Sequence, residues 1–314
     1  MASFIIRRCI QAIIVIFLVT VISFLLLHMI PGDPVIRILG MHASEAQVAQ
    51  LRHELGLDQP IIVQYGNWIW NVFHGDLGKS YIYHEDIDVL IRERFPITFY
   101  LTFLALVIST MIGIIAGVVS AVKRATFIDS FITLFSNVGI AVPTFWLGIL
   151  GIYLFGLKLG WLPVEGWTSP FVDFWQSTKQ VIMPVIALSV PNIAIVARQT
   201  RSSMLESVHQ DYIRTAVSKG LGQRIVFYKH ALRNALIPVV TLLGITVAFL
   251  IGGEVLTETV FNIPGVGRLL VRAALDNDYL IVQGIVLIVG VIVCFTNLFV
   301  DILYGWIDPR IRYK

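Results

Sequence analysis

The chain has 314 residues, 57% of them hydrophobic and only 14% charged, against roughly 25% charged in an ordinary soluble domain. A net charge of +3 is too weak a field to hold nucleic acid. An apolar surplus carried over the whole length excludes a soluble globular domain and points to a polytopic membrane protein.

Runs free of Asp, Glu, Lys and Arg occupy 9–32, 95–122, 130–157, 180–197, 234–253 and 279–300. Each is close to or above the roughly 20 apolar residues a helix needs to cross hydrocarbon. They are continuous rather than alternating, which excludes barrel strands. The expected fold is therefore all-α with six transmembrane helices. Cys9 and Cys294 lie within apolar runs and read as small packing residues, not a disulfide.

The first run follows Arg7-Arg8 and resembles a signal peptide in that respect. It is longer than the roughly 7–15 residues of a signal core, lacks a small-x-small cleavage site, and stops at Pro31-Gly32-Asp33-Pro34. It reads as an uncleaved anchor, residues 1–30. With the N-terminus inside, segments 1–8, 123–129, 198–233 and 301–314 hold most of the 23 Lys and Arg residues. The positive-inside rule then makes both termini cytoplasmic.

Residues 31–94 form the one sizeable outside segment, a small ordered cap. Ser44-Glu45-Ala46-Gln47 is a capping-box pattern, Val48, Leu51 and Leu55 share a helical face, and Gly56 can end that helix. Pro60 opens a second amphipathic piece whose Trp68, Trp70 and Phe73 either line a membrane interface or pack the cap on the spans. Residues 95–304 form the transmembrane domain and 305–314 a tail. In the fourth span Pro184 and Pro191 are either a hinge or pathway-lining break, or a tolerated kink. After the fifth span Glu254 and Glu258 are i,i+4 partners. They either face a cavity as functional carboxylates, with Arg268 neutralising one, or belong to a turn held by a structural ion pair.

The stretch 198–238 is the polar, basic interruption of the apolar chain. It runs Asp211-Tyr212-Ile213-Arg214-Thr215-Ala216-Val217-Ser218-Lys219-Gly220-Leu221, includes Arg224, and continues Lys229-His230-Ala231-Leu232-Arg233-Asn234-Ala235-Leu236-Ile237-Pro238. Such a segment cannot lie in lipid. Catalytic patterns are not found. Gly78-Lys79-Ser80 ends like a phosphate-binding loop, but position 73 is Phe where that loop needs glycine. Gly265-x-Gly267 has Leu270 where a dinucleotide loop has its third glycine. The histidines are dispersed, and no nucleophile elbow occurs. The chain reads as non-catalytic.

At 211–238 the chain resembles the inner-membrane permease subunits of ATP-binding-cassette (ABC) importers, peptide/nickel branch. Against the general loop pattern of that family, Glu-Ala-Ala followed by Gly and then Ile-x-Leu-Pro, only Ala216, Gly220 and Leu232 match. The branch's own version, Asp-Tyr-Ile/Val-Arg-Thr-Ala, Lys-Gly, then His-Ala-Leu-Arg-Asn-Ala-Leu-Ile-Pro, matches throughout. Pro31-Gly32-Asp33-Pro34, Leu55-Gly56-Leu57-Asp58-Gln59-Pro60, Gly75-Asp76-Leu77-Gly78, Val260–Leu269 and the tail Asp308–Lys314 also match.

The resemblance implies a type I importer permease in a bacterial plasma (inner) membrane. It implies a second homologous permease, two ATPase subunits that carry the ATP and Mg, and an extracytoplasmic substrate-binding protein. No cofactor is expected in this chain. Asp211, Arg214, Thr215, Ala216, Lys219, Gly220, Leu221, Arg224 and His230 would belong to an ATPase-coupling loop, with Ala216 and Gly220 forming one small patch on a helix. Gly220 as a plain helix cap is the other reading. Pro184, Pro191, Glu254, Glu258 and Arg268 are the candidates for a pathway or gate. Di- or oligopeptides come first as cargo, then glutathione or chelated nickel. A secondary transporter or channel, or a membrane-embedded enzyme, is the reading from another class. The former would place ionisable residues inside the spans, and the six runs contain no Asp, Glu, Lys or Arg.

Overall fold

The computed structural model describes residues 2–29, 34–39, 43–54, 56–80, 82–253 and 255–307. Among these the only extended pairing is one isolated antiparallel bridge, Lys79 with Asp86. Glu254, Pro31–Asp33, Leu55 and the tail from Asp308 lie outside the described residues.

Helix α1 (Ala2–Met29) is followed by three short cap helices, α2 (Pro34–Leu39), α3 (Glu45–Glu54) and α4 (Ile61–Phe73). The capping box forms as the sequence predicts. Ser44 Oγ accepts from Gln47 N at 3.3 Å, and Ser44 N donates to Gln47 Oε1 at 3.0 Å. Gly56 ends α3 at φ +64°. Trp68 is buried and stacks on Phe24 of α1 with centroids 6.0 Å apart, while Tyr65 shares a 2.8 Å hydrogen bond with Thr20. Trp68 thus packs the cap on the first span, whereas Trp70 and Phe73 on the other face stay exposed. Gly78-Lys79-Ser80 is an irregular segment whose Lys79 makes the bridge to Asp86. Its Ser80 hydroxyl accepts from Ile82 N and Tyr83 N and donates to Asp278.

Helix α5 (Ile87–Val122) has 36 residues and is therefore about 54 Å long, well beyond a hydrocarbon core of about 30 Å. Its first turns, with Asp88, Arg92, Glu93 and Arg94, project past the lipid.

The third apolar run is not one straight span. It divides into α6 (Phe127–Ala141) and α7 (Thr144–Gly151), the latter prolonged by a π-helical stretch Ile152–Lys158, with a 99° bend between the halves. The cause is Pro143. Its ring pushes the preceding residue out of the α region, and Val142 sits extended at φ −86°, ψ 124°.

Helix α8 (Phe174–Val208) begins at Asp173, whose carboxylate accepts from Gln176 N at 2.9 Å. It is unbroken through Pro184 and Pro191 and runs on past Arg198 and Arg201. The expected span 180–197 is only its central part. The charged residues that follow, expected in a loop, ride on a rigid helical extension.

Then come α9 (Asp211–Ser218), the single turn α10 (Gln223–Ile225), a π-helical stretch Val226–Ala231, α11 (Leu232–Gly253), α12 (Val255–Val260), α13 (Val266–Asp276) and α14 (Tyr279–Ile307).

Buried clusters give the helix directions. Ile97 and Leu101 of α5 meet Val181, Met183 and Val185 of α8 at one end. Val118 and Ala121 meet Met204 at the other. Helices α5 and α8 are therefore parallel, so the bent α6–α7 pair carries the chain from one end to the other and counts as a broken sixth span. Beside it, five helices among the described residues are long and apolar enough to cross.

Helix α11 leaves the second end through Ala235. Helix α14 starts at the first end, where Ile281 and Ile285 pack on Ile87, Leu90 and Leu269. Helix α1 lies antiparallel to α14, with Phe24 near Leu287 and Val19 opposite Gly290. The free ends of α1 and α14 consequently point to the same end as α9.

Large apolar side chains such as Phe99, Phe103, Ile115, Phe131 and Leu134 remain exposed on the spans, as lipid-facing residues are.

Candidate coupling site

Helix α9 is an elbow between the extension of α8 and the start of α11. Its own residues divide it into two faces. Ile213 and Ala216, three apart, are 4% and 6% exposed and sit in a cluster with Val118, Ala121, Met204, Val226, Ala231 and Ala235. The opposite face shows Tyr212, Arg214, Thr215, Val217 and Ser218 to solvent. Thr215 and Ser218 bond back to the carbonyls of Asp211 and Arg214 at 3.1 and 3.0 Å. Arg214 reaches Asp211 at 3.3 Å, a fully solvated pair of little energetic weight.

Gly220 is where α9 stops. Gly220 N bonds to Val217 O at 2.9 Å and Leu221 N to Ala216 O at 3.4 Å, with Gly220 at φ +77°. This is a Schellman ending, and Leu221 packs in the same cluster as Ala216, the apolar contact that accompanies the motif.

The expected small patch therefore does not form. Ala216 points into the chain's own core, and Gly220 lies past the helix end, so the cap is the geometric role of Gly220. What the elbow presents outward is Tyr212, Val217, Ile225 and Tyr228, among Lys219, Arg224 and Lys229. His230 lies half-buried in the π-helical stretch.

An ion pair fastens the extension of α8 beside this elbow. Arg201 Nε and Nη2 donate to the two carboxylate oxygens of Asp129 at 2.7 and 3.0 Å. Ser120 donates to Oδ1 of Asp129, and Ala125 N, at φ +62°, donates to Oδ2 at 3.0 Å. The carboxylate thus joins the end of α5, the start of α6 and α8, and a bidentate geometry holds the guanidinium in one orientation.

Glu258 lies at the far end of the bundle, 1% exposed. Thr98 of α5 accepts from Val266 N at 2.9 Å and so turns its only hydroxyl proton to Glu258 Oε1. Glu258 Oε2 accepts from Arg268 N at 2.8 Å. The carboxylate closes the N-terminus of α13, whose first N–H groups have no partner within the helix. A Cβ on Gly265 would overlap this carboxylate, so glycine is needed there. Burial pushes the Glu258 carboxyl up, and the bonds from Thr98 and from the backbone of Arg268 and Gly267 hold it down. Arg268 bonds Glu258 through its backbone N–H, and among the described residues their side chains form no ion pair.

The two prolines of α8 are not close to either constellation in sequence. Within the unbroken α8, Pro184 is buried and Pro191 half-buried.

Two family models cover the chain. The N-terminal model for membrane components of binding-protein-dependent transport systems matches residues 1–102, and the model "Binding-protein-dependent transport system inner membrane component" matches residues 91–313. The chain belongs to this permease family.

It is 45% identical over the full length of both chains to a putative peptide transport system permease of Brucella abortus. It is 41% identical to a dipeptide transport system permease of Alkalihalophilus pseudofirmus, and 40% to a glutathione transport system permease of Escherichia coli, again over both full lengths. In fold, it is similar to a chain of the inward-facing MetNI methionine ABC transporter, with TM-score 0.55, 18% identity, and cover of 70% of this chain and 96% of that one. The permease is accordingly a multi-pass protein of the bacterial inner membrane, and its family works with ATPase and binding-protein partners.

Sequence reading missed two features of the permease. Gly113-Ile114-Ile115-Ala116-Gly117 is a small-xxx-small pattern in an apolar helix, and this signal was available. A Cβ on Gly113 would stand 2.6 Å from Val196 Cβ, and one on Gly117 2.5 Å from Thr200 Cβ. The two glycines let α5 and α8 touch backbone to side chain. The Asp129–Arg201 pair is separated by 72 positions. Its only sequence signal is a lone carboxylate beside the start of a span.

Proposed function

We propose that this permease translocates di- or oligopeptides as one half of the pore of an ATP-driven importer, and that α9 is its coupling element. The observation that carries the reading is the two-faced elbow. Its inner face is keyed into the bundle through Ile213 and Ala216, so a push on α9 is transmitted to α5, α8 and α11. Its outer face offers aromatic and basic groups of the kind that anchor protein interfaces.

The partners in this reading are a second permease, two ATPase subunits holding ATP and Mg, and an extracytoplasmic binding protein that delivers the peptide. The elbow and both free helix ends lie on the cytoplasmic side, as the positive-inside rule requires. Relatives named for peptides, dipeptides and glutathione support small peptides as the cargo class.

The test uses the complete assembly in proteoliposomes. Vanadate-sensitive uptake of a labelled dipeptide that persists with a protonophore is the expected result. Uptake abolished by the protonophore and indifferent to vanadate refutes the reading in favour of a secondary transporter. Replacing Lys219 and Arg224 with Glu should weaken ATPase association about tenfold or more while leaving the thermal stability of the permease unchanged.

A further inference from the structure

Three arginines stand at the end of the bundle opposite α9, among them Arg268, one of the candidates for a pathway or gate. Arg94 lies on the α5 face that carries Leu90, Ile91 and Thr98, one turn beyond Thr98. Leu90 and Ile91 pack on Val266, Leu269 and Ala273 of α13. Thr98 receives the Val266 N–H at 2.9 Å. Arg94 is therefore carried against the first turns of α13, where Arg268 and Arg272 follow each other at i,i+4 spacing.

Glu165 joins from the segment after the bent span. Its neighbour Gly166 donates to Phe261 O at 3.2 Å, and Trp167 meets Tyr100 edge-on at 5.8 Å. This lays the segment beside α12 and the start of α13.

Among the described residues none of the three guanidinium groups is paired with a carboxylate. Arg94 Nε is buried with no hydrogen-bond acceptor, and its guanidinium rests 5.9 Å from the centre of the Tyr83 ring. Arg94 and Arg268 are half-buried and Arg272 is exposed. Burial first, then the positive charges of Arg272 and Arg94, push the Arg268 guanidinium down, while Glu165 and Glu258 pull it back. Both oxygens of Glu258 are already committed to Thr98 and the α13 backbone, so among the described residues it makes no ion pair with the arginines.

An unneutralised, partly desolvated arginine group is costly to keep unless an anion visits it. Guanidinium forks match a carboxylate in plane and spacing.

We propose that Arg94, Arg268 and Arg272 form a receiving site for the C-terminal carboxylate of the incoming peptide, with Glu165 at its edge for the peptide ammonium. The proposal rests on the peptide-importer reading above. It gives the permease its own check on a zwitterionic cargo, separate from that of the binding protein. The recessed Arg94, with its buried Nε, favours a small carboxylate over a flat protein surface.

The test compares wild type, the double variant Arg94→Gln/Arg272→Gln, the single variant Arg272→Gln, and Arg272→Lys in the complete assembly in proteoliposomes with binding protein and labelled dipeptide. At saturating binding protein the double variant, which removes two charged hydrogen-bonding partners together, should lose about tenfold or more in uptake. Arg272→Gln, on the exposed side where folding is least at risk, should lose about threefold, and Arg272→Lys should recover most of it. The half-saturating binding-protein concentration should stay unchanged.

Unaltered uptake in the variants overturns the site. So does a raised half-saturating binding-protein concentration with full uptake at saturation, which would make the arginines a docking surface for the delivery protein. As a direct arm, a dipeptide with a photoreactive group next to its carboxylate should label α13 or the first turns of α5, and labelling confined to other helices overturns the proposal. A wild-type assembly with no ATP- and binding-protein-dependent uptake refutes the importer reading itself, and is thereby distinguished from failure of the arginine site alone.

Discussion

Asp129→Asn removes one charge from the clamp that ties α5, α6 and α8 together, and its cost can be worked from the geometry. The Asp129 side chain is 8% exposed and that of Arg201 30%, with the guanidinium bonded at 2.7 and 3.0 Å. A pair of unit charges near 4 Å gains about 4 kcal/mol at an effective dielectric near 20. Stranding one member of a buried pair costs about 3–5 kcal/mol.

Arg201 keeps some contact with solvent, which lowers the expected loss to about 2–4 kcal/mol. An asparagine adds a second penalty. All its neighbours, Arg201, Ser120 and the Ala125 N–H, are donors, so its own amide N–H groups must face at least one of them.

The assay is chemical unfolding of the purified permease in detergent, run as a double-mutant cycle with Asp129→Ala and Arg201→Ala. We expect a coupling energy of about 2 kcal/mol. In the reconstituted importer, uptake per ATP hydrolysed should fall further than the amount of assembled protein, because the extension of α8 then swings freely beside α9. A coupling energy under about 0.5 kcal/mol, or unchanged uptake per ATP, would refute the argument that the clamp holds the lever.

Other outcomes follow from single positions. Gly220→Val should destabilise the elbow by about 1–2 kcal/mol, the cost of left-handed backbone for a residue with a Cβ. Gly220→Asn should keep both stability and coupling, since Asn tolerates that region and no atom stands within 4 Å of the added Cβ. Lost coupling at normal stability in the Asn variant would instead place a partner against Gly220.

Ala216→Leu overfills the cluster behind α9 and should cost about 1–3 kcal/mol, read as a lower unfolding midpoint. An unchanged midpoint with weakened ATPase association would return Ala216 to the partner-facing side. Gly117→Val drives a side chain into Thr200 and the Ala197 carbonyl and should sharply reduce folded protein in the membrane; normal yield and uptake would contradict the close approach of α5 and α8.

In the cap, the hydrogen bond from His53 holds the Asp58 carboxyl below its ordinary 3.8. The contribution of this bond is present above that value and lost as pH falls through the lowered pKa. The protection factor of the Leu57–Gln59 amides, taken against intrinsic exchange at each pH, should therefore be highest at neutral pH and fall in acid, and a pH-independent protection factor would contradict it.

Much of the fold was written in local pattern. Apolar runs show spans because hydrocarbon tolerates no unpaired backbone over about 30 Å. The capping box at Ser44–Gln47 and the stop at Gly56 depend on residues a few positions apart, so they can be read directly. The bend at Val142-Pro143 was equally local and lay within a run whose hydropathy hid it, because hydropathy averages over the proline that breaks the helix. The charge transition at Arg198 did not mark the end of the helix, which runs on to Val208. Helical hydrogen bonding continues in water when packing supports it, and the Asp129–Arg201 pair supplies that support.

By itself, the sequence determined a polytopic helical protein, its family, and the position of the polar elbow along the chain, since these depend on composition and on motifs with fixed spacing. Tertiary structure alone decided which face of α9 is spoken for. Ala216 and Gly220 have the same spacing whether they greet a partner or the chain's own core. Only the arrival of Val118, Met204 and Ala235 from distant helices turned Ala216 inward, leaving Gly220 as a cap. The same holds for the arginines. Arg94 and Arg268 are strangers in the sequence and become neighbours because Leu90, Ile91 and Leu269 bury one another and Thr98 takes the Val266 N–H. Apolar burial is non-directional and acts between any segments that can meet, so it brings such charges together without leaving a mark on the residues beside them.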